Sequence, residues 1–291
     1  VIGGGRTPAG AAFTPGSDGA GVVAATGSGV EGVAVGTGVL VFPTLNWGER
    51  EAAPGPDFGI LGGPSNGTLA EYIALPAANV RPKPEYLAWE QAAALPLSAL
   101  TAYRALVSRA RLQPGETVLI HGIGGATALA ALQITVAVGA RAIVTSSSDA
   151  KLARARAMGA ATAINYRTAD WLDATRAATG GAGVDVAFDS TGEATFAGSV
   201  AAVAPGGRVV TFSTGTGSAA RFDLREFFWK QASILGTTMG SPRDFDAMLA
   251  FYAAHRLAPV IDRTFPFAEV AAAFARLEAG DQLGNIVLTM D

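Results

Sequence analysis

The stretch Val118-Leu119-Ile120-His121-Gly122-Ile123-Gly124-Gly125-Ala126-Thr127-Ala128 decides the fold. A short apolar run is followed at once by a glycine-rich loop and then by an uncharged segment with helical spacing. Glycines let a backbone turn sharply and come close to a pyrophosphate, and the N-terminus of the following helix presents N–H groups and a partial positive charge to it. Taken alone the loop has two other readings. One is a plain strand-to-helix turn, and the other is the related loop of a nucleoside-binding methyltransferase.

Downstream, apolar runs alternate with helical segments. Val118 to His121 is followed by a helix to Val138, Ala142 to Thr145 by a helix from Asp149 to Met158, and Thr162 to Asn165 by a helix near Ala169 to Ala178. Val184 to Phe188 then precedes a helix near Ala194 to Val203, and Arg208 to Phe212 and Ser233 to Leu235 complete the set. Such alternation predicts a parallel sheet covered on both faces, a doubly wound α/β domain. At the end of its second strand, a fold that prefers NAD carries a carboxylate for the ribose diol. Here the strand runs Val144-Thr-Ser-Ser-Ser148 with Lys151 close behind, so a 2′-phosphate meets hydroxyls and a cation. That reading favours NADP, while Ser148 or Asp149 can also cap the next helix.

Upstream, Val1 to Pro84 is rich in Gly, Pro and β-branched residues. Strands are expected at Gly21 to Ala25, Val39 to Pro43 and Leu69 to Leu75, in an irregular barrel-like β domain. A helical pattern runs from Glu90 to Arg109, with Pro96 placed to bend or divide it. The tail offers a helix (Asp244 to His255), a strand near Val260 to Arg263, a helix (Phe267 to Glu278) and a last strand (Asn285 to Thr289). The expected domains are residues 1–98 for the first part of a substrate domain, 99–240 for the dinucleotide-binding domain, and 241–291 for a return segment that completes the former.

Composition narrows the function. With 49% hydrophobic and 15% charged residues, the 291-residue chain can bury a sizeable core. A net charge of −3 leaves no basic field for nucleic acid or anionic lipid. There is no cysteine and there are only two histidines, His121 and His255, which excludes thiolate chemistry and Cys-ligated metal. The uncharged run from Thr117 to Ala140 is long enough to span a bilayer, yet Gly122, Gly124 and Gly125 interrupt it, so no membrane span is expected. The expected location is the cytoplasm.

Several stretches in this order and spacing resemble the medium-chain dehydrogenase/reductase superfamily, in its zinc-independent quinone oxidoreductase-like branch. They are Pro15-Gly-Ser-Asp-Gly-Ala-Gly-Val-Val23, Gly67-Thr-Leu-Ala-Glu-Tyr72, Ala94-Leu-Pro-Leu-Ser-Ala-Leu-Thr-Ala-Tyr103, the Gly122 loop, Met158-Gly-Ala, Ile164-Asn-Tyr-Arg167, Pro205-Gly-Gly-Arg208 and Gly284-Asn-Ile-Val287. The resemblance implies a Rossmann domain and a GroES-like substrate domain. Members of that family carry roughly 40 to 50 residues before the position of Val1, including the first strands of the substrate domain, and this chain is expected to lack them. Without them that domain is expected to have an open sheet edge and marginal stability.

The resemblance also implies residue roles. The zinc-using members' Gly-His-Glu segment falls on Gly16, Ser17 and Asp18, and their later catalytic cysteine on Leu97, so no metal is expected. The structural-zinc spacing falls on Trp47, Arg50 and Ala53, which leaves packing and backbone bonds to order the loop from Asn46 to Gly63. Thr101 is expected against the nicotinamide and the Gly122, Ile123, Gly124, Gly125, Ala126, Thr127 loop at the pyrophosphate. Ser146, Ser147, Lys151 and Tyr166 are expected at the 2′-phosphate, and Thr191, Phe212, Ser213, Met239 and Asn285 beside the rest of the cofactor. Thr101, Ser17, Asn46 and Leu97 are the candidate pocket residues. Three departures from the family stand out: Ala126 and Thr127 in the loop, Thr37-Gly38 where an Asp-Arg pair is common, and Asn285 where a Lys is common.

The expected function is NADPH-dependent, metal-free hydride delivery to a quinone, enone or related activated carbonyl compound. The alternatives are metal-free oxidation of a secondary alcohol and a non-catalytic NADPH-binding protein. The expected partners are a small-molecule substrate and, by family resemblance, a second copy in a homodimer.

Overall fold

The computed structural model of the chain describes residues 13–63 and 65–290; the first part of the expected β domain, residues 1–12, lies outside them. Contacts divide the chain into two compact units. One is built from residues up to Leu100 and from Met239 onward, the other from Thr101 to Thr238.

The first unit opens with β1 (Ala20–Val22), β2 (Gly38–Val41), β3 (Thr44–Leu45), β4 (Gly59–Ile60) and β5 (Val80–Pro82). An antiparallel sheet runs β1-β2-β5, and β3 pairs with β4. Leu69 to Leu75, expected as a strand, is not one. Among the described residues Leu69 donates its N–H to the Pro15 carbonyl, as Gly67 and Thr68 before it donate to those of Thr14 and Gly16, and no strand pairing continues beyond it. Between β3 and β4, Trp47 is buried, stands edge-on to Phe58 at 5.6 Å, and donates from Nε1 to the Arg50 carbonyl. A buried indole thus helps to order this loop.

Pro96 divides the expected long helix. α1 (Trp89–Ala94) ends before it, and α2 (Pro96–Tyr103) begins with it, where a missing N–H costs nothing. A π-helical segment, Arg104–Arg109, follows.

The second unit holds β6 (Thr117–Ile120), α3 (Ala126–Val138), β7 (Arg141–Ser146), α4 (Asp149–Ala157), β8 (Thr162–Asn165), α5 (Trp171–Ala178), β9 (Val184–Asp189), α6 (Glu193–Ala202), β10 (Val203–Thr211), α7 (Leu224–Trp229) and β11 (Ser233–Gly236). Its sheet is parallel throughout, in the order β11-β10-β9-β6-β7-β8. β10 starts earlier than expected, since Val203 already pairs with Val184 before the Pro205-Gly-Gly bulge shifts the register. Leu119, Ile143, Val184, Ala187 and Val209 form the core under Val200 and Val203. α3 carries no charge and is buried along most of its length, with Leu129, Leu132 and Ile134 enclosed. Among the described residues, no helix is long and apolar enough to cross a membrane.

The tail returns to the first unit as α8 (Pro242–His255), β12 (Ile261–Pro266), α9 (Val270–Ala279) and β13 (Asn285–Thr289), with β12 and β13 paired in parallel. Thr44 Oγ1 donates to the Gly240 carbonyl, Tyr86 Oη to that of Leu257, and Arg81 pairs with Asp246.

Candidate cofactor and substrate sites

In an open parallel sheet, ligands sit outside the carboxyl ends of the strands where the strand order reverses. The reversal here lies between β6 and β9, because β6 has β7 on one side and β9 on the other. β6 runs into the Gly122 loop and β9 into the turn Ser190-Thr191-Gly192.

The loop is built for close approach. Gly122 adopts φ 66°, Ile123 is fully buried and anchors the loop by donating to the Thr145 carbonyl, and Gly122 and Gly125 remain exposed. α3 starts at Ala126, so the N–H groups of its first turn, including Thr127, point out of the helix. Lys151, on α4, extends along the loop: a Cβ placed on Gly124 would come within 3.0 Å of its Nζ. Ammonium, exposed glycines and helix N-terminus therefore converge on one surface, which fits the phosphates of a dinucleotide.

At the end of β7, Ser146 is buried and its Oγ accepts from the Ser148 N–H, while Ser147 is half-buried beside it. Ser148 caps α4 by accepting from the Lys151 N–H. Tyr166 donates its N–H to the Ser146 carbonyl and leaves its side chain 49% exposed. Thr191 is held by its N–H, which donates to Asp189 Oδ1. Phe212 packs on Phe188 at 4.9 Å, with Ser213 next to it. Thr101 is buried on α2.

Other expected site residues lie in the first unit. Met239 is buried with φ 41° and Asn46 is exposed with φ 50°, both in the left-handed region that non-glycine residues adopt rarely and mostly at constrained sites. Asn285 begins β13 and its amide donates to the Val260 carbonyl, so this side chain already has a structural partner. Ser17 Oγ donates to the Leu61 carbonyl, which leaves that hydroxyl able only to accept.

Asp18 was counted in sequence only as the third position of a lost metal-ligand segment. Its Oδ1 accepts from the Leu97 N–H at 2.6 Å, a donor freed at the first turn of α2 where Pro96 interrupts the helix. Burial raises its carboxyl to about 7, against the pull of that N–H. No local pattern reveals this, because Leu97 is far along the chain.

The raised value has a consequence for stability. The folded state holds this proton more tightly than the unfolded chain, so the contribution is complete below about pH 4 and drains away as pH rises through 7. Asp18→Asn keeps an oxygen for the Leu97 N–H and removes the ionisation. Between pH 5 and 8, wild type should lose about 2 kcal/mol relative to this variant in urea unfolding. Parallel pH profiles would place the titration elsewhere.

A metal fits this unit poorly. Leu97 has no donor atom and Ser17 is a hydroxyl whose proton is engaged. Among the described residues, no group of three or more His, Cys, Asp or Glu side chains could hold a metal ion.

Comparison with known proteins agrees with this architecture. Residues 2–85 match the alcohol dehydrogenase GroES-like domain family, and residues 126–254 match the zinc-binding dehydrogenase family. A zinc-type alcohol dehydrogenase-like protein of Schizosaccharomyces pombe is 33% identical over 284 residues, covering 95% of this chain and 82% of the relative. A quinone oxidoreductase of Homo sapiens is 28% identical, covering 96% and 80%. Among solved structures, an NAD-dependent alcohol dehydrogenase superposes with a TM-score of 0.89 at 39% identity, covering 96% of this chain and 83% of that one. A 2-octenoyl-CoA carboxylase reductase, in complex with NADP and 2-octenoyl-CoA, gives 0.88 at 30%, covering 96% and 68%.

Proposed function

This chain belongs to the medium-chain dehydrogenase/reductase superfamily of NAD(P)-dependent oxidoreductases, and within it we propose a zinc-independent enzyme that uses NADPH to reduce a quinone, an enone or a related activated carbonyl compound. The observation that carries the reading is the pair Ser17 and Leu97, which stand where zinc-using members present ligands and cannot replace them. Without a Lewis acid, the acceptor must spread the incoming negative charge over its own π system, and a conjugated carbonyl compound does so.

When bound, the reduced nicotinamide supplies the hydride. The Gly122 loop and the first turn of α3 hold the pyrophosphate; Ser146, Ser147, Lys151 and Tyr166 take the 2′-phosphate. Thr101, Thr191, Phe212 and Ser213 line the nicotinamide end. Asn46 and Leu97 shape the substrate side. Asp18, with its carboxyl raised to about 7 by burial, is about half protonated at neutrality, and its Oδ1 is engaged by the Leu97 N–H. Ser17, whose proton is engaged by the Leu61 carbonyl, donates no hydrogen bond to the acceptor's carbonyl oxygen.

The test is NADPH oxidation over a panel of quinones and enones with chelator present, beside NADP-linked oxidation of secondary alcohols. Turnover of the conjugated acceptors, unaffected by chelator, is the expected result. Oxidation of secondary alcohols alone would select the dehydrogenase alternative, and NADPH binding without turnover the non-catalytic one. Loss of activity on chelation would overturn zinc independence.

We also propose a homodimer. β11 has a strand neighbour on one side only among the described residues, and Leu224, Phe228 and Trp229 of α7 stand exposed beside it in sequence, Trp229 at 77%. An open edge with apolar neighbours favours pairing with a second copy. Sedimentation at micromolar concentration should give twice the chain mass, and a monomer would reject the assignment.

A further inference from the structure

His121 is one of two histidines, and it is buried to 2% exposure directly before the Gly122 loop. Its two ring nitrogens have different partners. Nε2 lies 3.0 Å from Ser199 Oγ on α6, and Nδ1 lies 3.3 Å from Thr145 Oγ1 on β7. The proton assignment follows from the far end of the chain of bonds. Asp189, fully buried at the end of β9, only accepts: from the N–H groups of Thr191 and Gly192 at 3.0 Å each, from Thr195 Oγ1, and from Ser199 Oγ at 2.7 Å. Ser199 has one proton, and Asp189 receives it. Its oxygen is therefore the acceptor for the ring, so Nε2 carries the hydrogen and Nδ1 is bare. Thr145 must then donate to Nδ1, which leaves its oxygen to accept the Gly122 N–H at 3.4 Å.

The bonds all run one way, from the glycine loop through Thr145, His121 and Ser199 to the carboxylate. They tie together the carboxyl ends of β6, β7 and β9, the three strands flanking the reversal of strand order. Burial pushes His121 down to about 4 against the pull of Asp189, so the ring is neutral across the physiological range, as the alternating donors and acceptors require. Trp171 closes the site from α5 with its ring edge-on at 4.7 Å. Gly198 in the middle of α6 leaves room for that indole, since a Cβ there would come within 2.5 Å of it.

We propose that His121, as the Nε2–H tautomer, is a positioning residue for the cofactor, holding the Gly122 loop and the Thr191–Gly192 turn at a fixed separation through Thr145, Ser199 and Asp189. The proposal rests on the cofactor reading above. In ¹⁵N-labelled protein the buried imidazole should show a protonated Nε2 and a bare Nδ1 from pH 8 to 5, a signature that does not depend on any cofactor. Thr145→Val removes only the hydroxyl between ring and loop, and Thr145→Ser restores it. The valine variant should raise the NADPH dissociation constant about tenfold and leave kcat at saturating NADPH within twofold, while the serine variant should bind within twofold of wild type.

A purely structural role would lower the melting temperature of the valine variant without moving NADPH affinity, and that result overturns the proposal. So does a proton on Nδ1 in wild type. If wild type binds neither NADPH nor NADH while the imidazole signature is as stated, the cofactor reading has failed and the hydrogen-bond assignment stands.

Discussion

Gly67→Ala is expected to destabilise the protein by about 3 kcal/mol or more, a reduction in melting temperature on the order of 10 °C. The added methyl has nowhere to go. A Cβ on Gly67 would overlap the Gly16 carbonyl oxygen and lie 2.7 Å from Gly62 Cα and 2.8 Å from the Pro15 carbonyl oxygen, so every obstacle is backbone. Backbone cannot yield here without breaking the bonds that Gly67, Thr68 and Leu69 donate to Thr14, Gly16 and Pro15. The same crossing positions Ser17 and Asp18, whose bonds to Leu61 and Leu97 follow within two residues of Gly16. Whatever of the variant folds should therefore show a weakened response of stability to pH between 5 and 8. Gly21→Ala is the control, because a Cβ on Gly21 meets nothing within 4 Å and should move the melting temperature little. If Gly67→Ala melts within two degrees of wild type, the close approach of these two segments is wrong.

That crossing shows why the two units were unequally legible in the sequence. In the second unit each strand carries its own signal, since residues buried on both faces read as apolar runs such as Val118-Leu-Ile and Val184 to Phe188. The helices between them and the glycine loop add local signals of their own. In the first unit the information is non-local. Gly16, Gly62 and Gly67 meet across some fifty residues of chain, and nothing near any one of them reports the others. Leu69 to Leu75 has strand composition, yet composition measures fitness for a sheet, and among the described residues this stretch pairs with no strand.

The site divides the same way. That Ser146 is no carboxylate is legible, because a dinucleotide fold places its ribose contact at a roughly fixed distance beyond the loop. The raised carboxyl of Asp18 and the network around His121 arise from partners on other elements, so sequence reading set both residues aside. Trp47 is the intermediate case: the want of cysteine around it is local and legible, whereas its packing on Phe58 and its bond to the Arg50 carbonyl depend on how the loop folds.

NADPH is expected to bind about thirtyfold more tightly than NADH, a difference of roughly 2 kcal/mol. The preference starts at Ser146, where an NAD-type enzyme places a carboxylate that repels a 2′-phosphate. It is completed by Lys151, whose ammonium lies along the loop at Gly124, and by the exposed phenol of Tyr166. A well-formed charge-assisted bond contributes about 1.5 to 3 kcal/mol, but a half-exposed lysine falls nearer 1. Lys151→Ala should accordingly weaken NADPH about fivefold and leave NADH nearly untouched, since the charge it removes faces a group that NADH lacks. Ser146→Asp should act in the opposite sense on the two cofactors. The Ser148 N–H that now donates to Ser146 Oγ can donate to the new carboxylate instead, so the residue can be accommodated locally. Its negative charge then repels the 2′-phosphate and accepts from the ribose diol, which should bring the two affinities level or reverse them. Fluorescence titration of the three proteins with both cofactors measures each value, with melting temperatures to register any general loss of fold. Equal binding of both cofactors by wild type, or equal weakening of both by each substitution, would place the 2′-phosphate away from Ser146 and Lys151.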